Sequence, residues 1–129
     1  MEIQKIKDVV ILKMVEDDLS DPRNTARLVE NLLKVDGEKK FIVDLSAVQS
    51  IYSLQIGALV TMHVLCYENV AIMKLAGVND KVRNILRIVG LETLMEMHHG
   101  TDVALDSFGK RKDSGPTGPK MEGPWAKRK

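Results

Sequence analysis

The spacing of hydrophobic residues along the chain predicts strands alternating with helices. Short apolar runs rich in β-forming residues indicate strands, whereas apolar residues three and four positions apart indicate helices. The predicted strands cover residues 3–6, 9–15, 41–43, 70–75 and 95–97, and the predicted helices cover residues 22–35, 54–68, 81–89 and 101–108, with a helical turn at 91–94. This order predicts an α/β fold with a mixed sheet of four to five strands.

The middle of the chain reads as a buried strand, a tight turn and a long helix. Phe41-Ile42-Val43 is an apolar run closed by Asp44, and an almost uncharged segment follows over residues 54–68. Ser53 stands directly before that segment and is predicted to cap the helix, because a serine oxygen accepts well from the free N–H groups of a first turn. The same N–H groups would also accommodate a phosphate on this serine.

The composition predicts one domain followed by an appendage. Residues 1–108 contain all the predicted elements, whereas residues 109–129 contain three Pro and four Gly and few apolar residues apart from Trp125. Such a segment is predicted to be disordered. The 129 residues are sufficient for a domain with its own core.

The charge distribution bears on the partners. The last twenty residues contain seven Lys or Arg and two acidic residues, whereas the rest of the chain has a net charge of −4. An acidic body argues against direct nucleic-acid binding by the folded domain. The chain has no apolar run of the roughly 18 residues that a membrane span requires and no signal-peptide pattern, so we expect a cytoplasmic protein without membrane contact.

The chain contains cysteine, histidine and charged residues that could serve in a catalytic or metal site, but they lack the spacing of such a site. We expect Cys66 to be a small buried hydrophobic residue, His63 to be partly buried, His98 and His99 to be exposed to solvent, and Lys81, Arg83 and Arg87 to form a solvated or partner-facing basic edge. The acidic residues Glu16, Asp17, Asp18 and Asp21 lack the order of a calcium-binding loop and are predicted to form a solvated loop.

No catalytic motif accompanies these residues. The sequence contains no phosphate-binding Gly-rich loop, no nucleophile elbow, no paired metal ligands and no Cys–His signature. We therefore expect a protein that is not an enzyme and that uses no cofactor or metal.

The chain resembles the STAS domain of bacterial anti-sigma factor antagonists. The resemblance covers roughly residues 3–106 and lies in IVDLSAVQSIYSLQIGALV, in AIMKLAGVNDKVRNILRIVGLETLMEM and in TDVAL. In that family a strand ending in Asp-Leu leads to an Asp-Ser-Ser/Ala-Gly turn, whose serine is phosphorylated by a partner kinase. Ser53 matches this serine, whereas Tyr52 replaces the Asp, and Leu54 and Gln55 replace the small residue and the Gly.

The resemblance implies both a fold and a mechanism. It implies helices packed mainly on one face of the sheet, and an antagonist that binds an anti-sigma factor serine kinase until that kinase phosphorylates Ser53. A serine phosphatase then restores binding. The partner-binding residues that it implies are Asp44, Ser46, Tyr52, Ser53, Leu54 and Gln55.

Two other functions stay open on the sequence. The altered turn at Tyr52 and Gln55 is compatible with a STAS module that is not phosphorylated and that serves as a scaffold in a larger regulatory assembly. A small-ligand sensor is a third hypothesis, although the sequence shows no polar pocket. Ser46 or Ser50 could also replace Ser53 as the phosphate acceptor.

Overall fold

A computed structural model describes residues 1–110 of the chain, apart from the side chain of Lys110. Five strands alternate with five α-helices and one 3-10 helix. They are β1 Glu2–Ile6, β2 Val9–Lys13, α1 Glu16–Leu19, α2 Pro22–Lys34, β3 Lys40–Asp44, α3 Ser53–Glu68, β4 Ile72–Ala76, α4 Asp80–Ile88, the 3-10 helix Leu91–Thr93, β5 Met97–His98 and α5 Thr101–Lys110.

The five strands form one mixed sheet in the order of the sequence. β1 and β2 are an antiparallel hairpin, and β2, β3, β4 and β5 are parallel neighbours. The parallel connections run through helices, as parallel strands require. All the parallel strands therefore end at one edge of the sheet, and the β3–α3 loop, residues 45–52, lies at that edge.

The two faces of the sheet carry cores of different size. The larger core lies between the sheet and helices α1 to α4, and it includes Leu12, Phe41, Val43, Leu59 and Leu75. The smaller core packs α5 against the opposite face through Ala104 and Phe108. The predicted α/β fold with a five-stranded mixed sheet and helices mainly on one face is confirmed.

One lysine is buried within the smaller core. Lys74 is 3% exposed, and its Nζ lies 2.6 Å from Ser107 Oγ, 3.3 Å from Glu96 Oε1 and 4.2 Å from the centre of the Phe108 ring. A buried charge is tolerated only when it is paired and hydrogen-bonded. These contacts therefore join α5 and the residue that precedes β5 to strand β4.

The acidic segment after β2 differs from its prediction. It was expected to be a solvated loop, but it forms the short helix α1. The Asp18 carboxylate accepts a 2.8 Å hydrogen bond from the Val15 N–H at the start of this helix, and Leu19 is completely buried at its end. Local capping and one buried leucine therefore outweigh the mutual repulsion of the acidic residues.

Other boundaries also differ from the sequence prediction. The second strand ends at Lys13 instead of residue 15, and the fifth covers Met97–His98 instead of residues 95–97. The fourth strand begins at Ile72 instead of residue 70, because Asn69 and Val70 close the preceding helix. The last helix extends to Lys110, two residues beyond its predicted end. The predicted disordered tail falls, from residue 111 onward, outside the described residues. No helix among residues 1–110 is long and apolar enough to cross a membrane.

Candidate functional site

The β3–α3 loop is fixed by three buried side chains. Leu45, Val48 and Ile51 are each 1% exposed and belong to the larger core. They occupy every third position, so the residues between them, such as Ser46 and Gln49, are turned towards solvent. The loop is therefore packed onto the core while it presents polar groups at the sheet edge.

Glu16 of α1 supports one side of this loop. Its Oε2 atom accepts hydrogen bonds of 3.0 Å from the backbone N–H groups of both Gln49 and Ser50. Hydrogen bonds to a charged acceptor are stronger than those between neutral groups. Glu16 thus satisfies two consecutive loop N–H groups that have no strand partner.

Helix α4 supports the other side of the loop. The Asn79 side-chain amide donates to the backbone oxygens of Val48 and Gln49 at 3.2 Å, and its own oxygen caps α4 by accepting from the Val82 N–H. Lys81 Nζ lies 3.2 Å from Ser50 Oγ. The loop is therefore held between α1 and α4 by groups that are distant from it in sequence.

Gly77 allows β4 to pass close to the start of the loop. Asp44 Oδ1 accepts a 3.0 Å hydrogen bond from the Ser46 N–H, which forms a tight turn at the end of β3. A Cβ atom on Gly77 would lie 2.9 Å from Asp44 Oδ1 and 3.0 Å from Ser46 Cβ, and Gly77 has a φ of +71°. Both the close approach and the left-handed backbone favour glycine here.

Helix α3 is capped differently from the prediction. Ser53 was predicted to be the N-cap, but Tyr52 occupies that position with an extended backbone, and Ser53 is the first helical residue. Gln55 Oε1 accepts a 2.8 Å hydrogen bond from the Tyr52 N–H, and Gln55 Nε2 donates to Ser20 Oγ at 3.0 Å. Gln55 therefore caps this terminus by another bond than the one expected of the serine, because it accepts from the N–H of the N-cap residue and not from those of the first turn.

The Ser53 hydroxyl is consequently not used in capping. Ser53 is exposed, and its hydroxyl has no hydrogen-bond partner among residues 1–110. The neighbouring side chains of Tyr52 and Leu54 are 67% and 55% exposed. An unengaged hydroxyl at a helix N-terminus is thus accessible to another protein.

The six residues expected to bind a partner do not all reach the surface. Ser46, Tyr52, Ser53 and Leu54 are exposed, Asp44 is half-buried in its turn with Ser46, and Gln55 is 8% exposed with its amide engaged inside the protein. The structure therefore separates four surface residues from two that shape the loop beneath them.

The outer face of α3 is apolar and partly open to solvent. The sequence predicted a helix buried on nearly all sides, but Leu54 and Val64 are 55% and 42% exposed, and Gly57 between them is also exposed. These positions lie on one side of the helix, because three and seven residues separate Gly57 from Leu54 and Val64 respectively. An exposed apolar stripe beside Ser53 is typical of a protein contact surface.

Sequence reasoning missed the residues that hold the loop. Glu16 was read as part of a solvated acidic cluster, Lys81 as part of a basic helix edge, and Asn79 only as a helix cap. Their contacts with the loop span 30 to 34 residues. The one available signal was the absence of local partners for the loop N–H groups, which must be satisfied somewhere.

Two titratable residues of α3 have environments that suppress charge. Cys66 is buried, and burial raises the pKa of its thiol to about 12, so the thiol stays protonated at neutral pH. His63 is half-buried, and burial lowers its pKa. The expectations of a buried Cys66 and a partly buried His63 are confirmed.

His98 differs from its prediction, whereas His99 agrees with it. Both were expected to be solvent-exposed, but the His98 side chain is 17% exposed and its Nε2 lies 2.9 Å from Glu96 Oε1. Successive strand residues point to opposite faces, which turns His98 towards the polar group around Lys74 and leaves His99 exposed. Within residues 1–110, no three His, Cys, Asp or Glu side chains are arranged to hold a metal ion.

Comparison with solved structures shows the same fold in several proteins. A proposed anti-sigma factor antagonist from Thermotoga maritima superposes with a TM-score of 0.71 at 22% identity, over 82% of this chain and 92% of that protein. A chain from the structure of the stressosome, described there as a signal integration and transduction hub, gives 0.74 at 21% identity over 86% and 98%. A serine-to-glutamate variant of Moorella thermoacetica RsbS gives 0.69 at 20% identity over 85% and 97%.

Comparisons of the sequence place this fold in a family. A search of curated proteins found no match. The family described as the STAS domain matches residues 1–104, which comprise β1 to β5 and the first part of α5. This chain therefore belongs to the STAS domain family.

Proposed function

We propose that this chain is an anti-sigma factor antagonist that acts by partner switching. It binds an anti-sigma factor serine kinase through the surface around Ser53, and phosphorylation of Ser53 by that kinase dissociates the complex. A serine phosphatase removes the phosphate. The protein works in the cytoplasm through protein contacts, without catalysis of its own and without direct nucleic-acid binding by the folded domain.

The observation that carries this proposal is the position of the Ser53 hydroxyl. It is exposed at the first turn of a 16-residue helix, it has no hydrogen-bond partner among the described residues, and Gln55 has taken over part of the capping. Transfer of a phosphoryl group to this oxygen would break no hydrogen bond of the folded domain. The site is thus chemically suited to reversible modification.

The helix N-terminus would stabilise the product of that modification. The first N–H groups of α3 and the positive end of its dipole favour an anion at this position. The phosphorylated protein therefore keeps its fold, and the loop held by Glu16 and Asn79 does not need to rearrange.

The same phosphate would oppose complex formation. Tyr52 and Leu54 provide an exposed apolar surface next to Ser53, Val64 lies about three turns further along α3, and burial of these side chains would drive association with a partner. A phosphoserine brings nearly two negative charges into that contact, and they would lose their solvation on binding. The complex and the phosphorylated state of Ser53 therefore exclude each other by local electrostatics.

A scaffold function is the second candidate. Tyr52 stands where the anti-sigma factor antagonists that this chain resembles have an aspartate before the serine, and its side chain is 67% exposed. A large aromatic side chain suits a permanent protein contact. In this alternative the same surface docks into a larger regulatory assembly and Ser53 is never modified.

Intact-protein mass spectrometry distinguishes the two candidates. The full chain is incubated with ATP and each serine-kinase anti-sigma factor of the same genome, alongside Ser53→Ala and the control Ser46→Ala, which removes the other exposed loop hydroxyl. Partner switching predicts one added phosphoryl group on the wild type and on Ser46→Ala, and none on Ser53→Ala.

Binding measurements with the same kinases complete the test. We expect Ser53→Asp to weaken kinase binding about tenfold or more, because it places an unpaired charge in the contact, and Ser53→Ala to bind like the wild type. Stable binding of a kinase without any phosphate transfer would favour the scaffold. Phosphate transfer that persists in Ser53→Ala would remove this serine from the mechanism.

A further inference from the structure

A second surface with an unused binding group lies beside β5. A pocket of about 240 Å³ opens there and is lined by Arg83, Glu92, Met95, Glu96, Met97 and His98. Arg83 comes from α4, and the other residues come from the segment that leads into and forms β5. None of these residues belongs to the β3–α3 loop or to the outer face of α3.

Most charges of this pocket are already paired within the domain. Glu96 contacts both Lys74, at 3.3 Å, and His98, at 2.9 Å. Glu92 Oε1 lies 3.6 Å from Arg87 Nε. Arg83 lines the same pocket half-buried, but its guanidinium has no hydrogen bond or ion pair with any residue in the described part of the chain. The pocket therefore offers one unpaired cation, which matches a carboxylate.

The backbone of β5 is available next to this cation. Among the described residues β5 is an outermost strand of the sheet, and the backbone oxygens of Glu96, just before β5, and His98 accept from the N–H groups of Leu75 in β4 and Gly77, just after it. Because alternate residues of a strand direct their backbone groups to opposite sides, the N–H and C=O of Met97 point away from β4. The outer side of β5 can therefore pair with one more extended segment.

We propose that an extended, acidic peptide segment of a partner protein pairs with the free edge of β5 and places one carboxylate on Arg83. Backbone hydrogen bonds with Met97 supply affinity, and Arg83 selects a segment with Asp or Glu at one position, as in other peptide complexes formed by strand addition. The flexible, half-buried side chain of Met97 adapts to the neighbouring residue of the peptide.

The size of the pocket favours a peptide over a free small molecule. Pockets that enclose small ligands usually have volumes of about 300 to 1,000 Å³. A volume near 240 Å³ suits one side chain of a longer segment whose backbone lies outside the pocket. This contact does not require the surface around Ser53, so a partner could stay attached to β5 while the proposed switch operates.

Peptide display on the full-length protein tests this site without knowledge of the partner. A library of random decapeptides is selected in parallel against the wild type, Arg83→Gln and Arg23→Gln. Arg23 is the matched control, because it is an exposed arginine of α2 that does not line the pocket. We expect the wild type and Arg23→Gln to enrich peptides with an Asp or Glu at a fixed position, and Arg83→Gln to lose that enrichment.

NMR spectra of the labelled protein then locate the bound peptide. The best peptide should shift the amide signals of Met97 and His98 in a saturable manner, and its Asp→Asn or Glu→Gln version should bind about tenfold more weakly. Met97→Pro removes the outward N–H of this edge and should also abolish binding, with thermal melts used to verify folding.

Two results would overturn the proposal. One is a selection in which no enriched peptide depends on Arg83, and the other is a set of shifts confined to α3. Light scattering over a range of protein concentrations tests the alternative that a second copy of the chain pairs with β5. A dimer that Met97→Pro converts to monomer would show that this edge pairs with another copy instead of a partner peptide.

Discussion

Glu16 Oε2 accepts a 3.0 Å hydrogen bond from the backbone N–H of Ser50, a residue 34 positions further along the chain. The same oxygen accepts from Gln49. This contact joins the short acidic helix α1 to the loop that carries the candidate site. The shape of the loop therefore depends on a side chain whose own sequence context gives no indication of this contact.

Replacement of Glu16 by Ala should loosen the loop. The N–H groups of Gln49 and Ser50 lose their acceptor, and the loss of hydrogen bonds to a charged group should reduce the free energy of unfolding by about 1–3 kcal/mol. Hydrogen exchange measured residue by residue should accelerate most at Gln49 and Ser50. Asp17→Ala is the control, because Asp17 is exposed on the same helix, and similar exchange in both variants would contradict the role of Glu16.

Gly77→Ala should destabilise the domain by about 2 kcal/mol or more. The new methyl group would lie within 3.0 Å of atoms of Asp44 and Ser46, and the left-handed backbone alone costs a residue with a side chain about 1–2 kcal/mol. Chemical denaturation measures the effect. Gly57→Ala is the matched control and should be stabilising by about 1 kcal/mol, since Gly57 lies in a helix with open space around it.

Val70→Gly should be stabilising, although it shortens an apolar side chain. Val70 is 72% exposed and has a φ of +56°, and it follows α3 at the position where helices usually have a left-handed glycine. Relief of that backbone strain should raise the free energy of unfolding by about 1 kcal/mol. The control Val35→Gly should be destabilising, because Val35 is equally exposed but has an ordinary φ of −86°.

The stability of the domain should fall in acid partly through Glu96. Burial alone would raise the pKa of this carboxyl, but the charge of Lys74 and the hydrogen bonds from His98 and Lys74 outweigh burial and hold the pKa below its usual value. Since the folded pKa is lower than the unfolded value of 4.5, the stabilisation is complete above that value and is lost as the pH falls from there through the folded pKa.

Substitutions of Glu96 and of its partner Lys74 test this acid dependence. In unfolding measurements between pH 2.5 and 6, Glu96→Gln should flatten the curve, whereas Asp106→Asn on the exposed side of α5 should leave it unchanged. At neutral pH, Glu96→Gln should cost about 3 kcal/mol, because Lys74 stays buried without its carboxylate. The double variant with Lys74→Met should recover part of this loss, and a failure to recover any of it would show that the pair is not the cause.

Cys66 should report unfolding through its reactivity. Burial raises its pKa to about 12, so at pH 8 a thiol reagent should meet neither an accessible sulfur nor a thiolate. We expect labelling only at denaturant concentrations that unfold the domain, with a midpoint that matches circular dichroism. Rapid labelling of the native protein would contradict the packing of α3.

The sequence by itself determined the elements and the family resemblance. The change between apolar runs and helical spacing located the strands and helices, because these periods reflect which side of each element is buried. Three segments between residues 42 and 105 indicated the STAS domain, although the turn at Ser53 departs from the family pattern, and the family match over residues 1–104 confirms the domain. Cys66 and His63 were also predicted correctly, since an apolar helix gives a titratable group few partners.

Only the tertiary structure decided how the candidate site is built. The contacts of Glu16 and Lys81 with the loop cross more than thirty residues, and no local pattern encodes them. The same holds for Gln55, whose side chain turns inwards, and for Ser53 and Arg83, whose side chains have no polar partner within residues 1–110. A side chain's neighbours along the chain determine its secondary structure, but its partners depend on which elements the fold brings together.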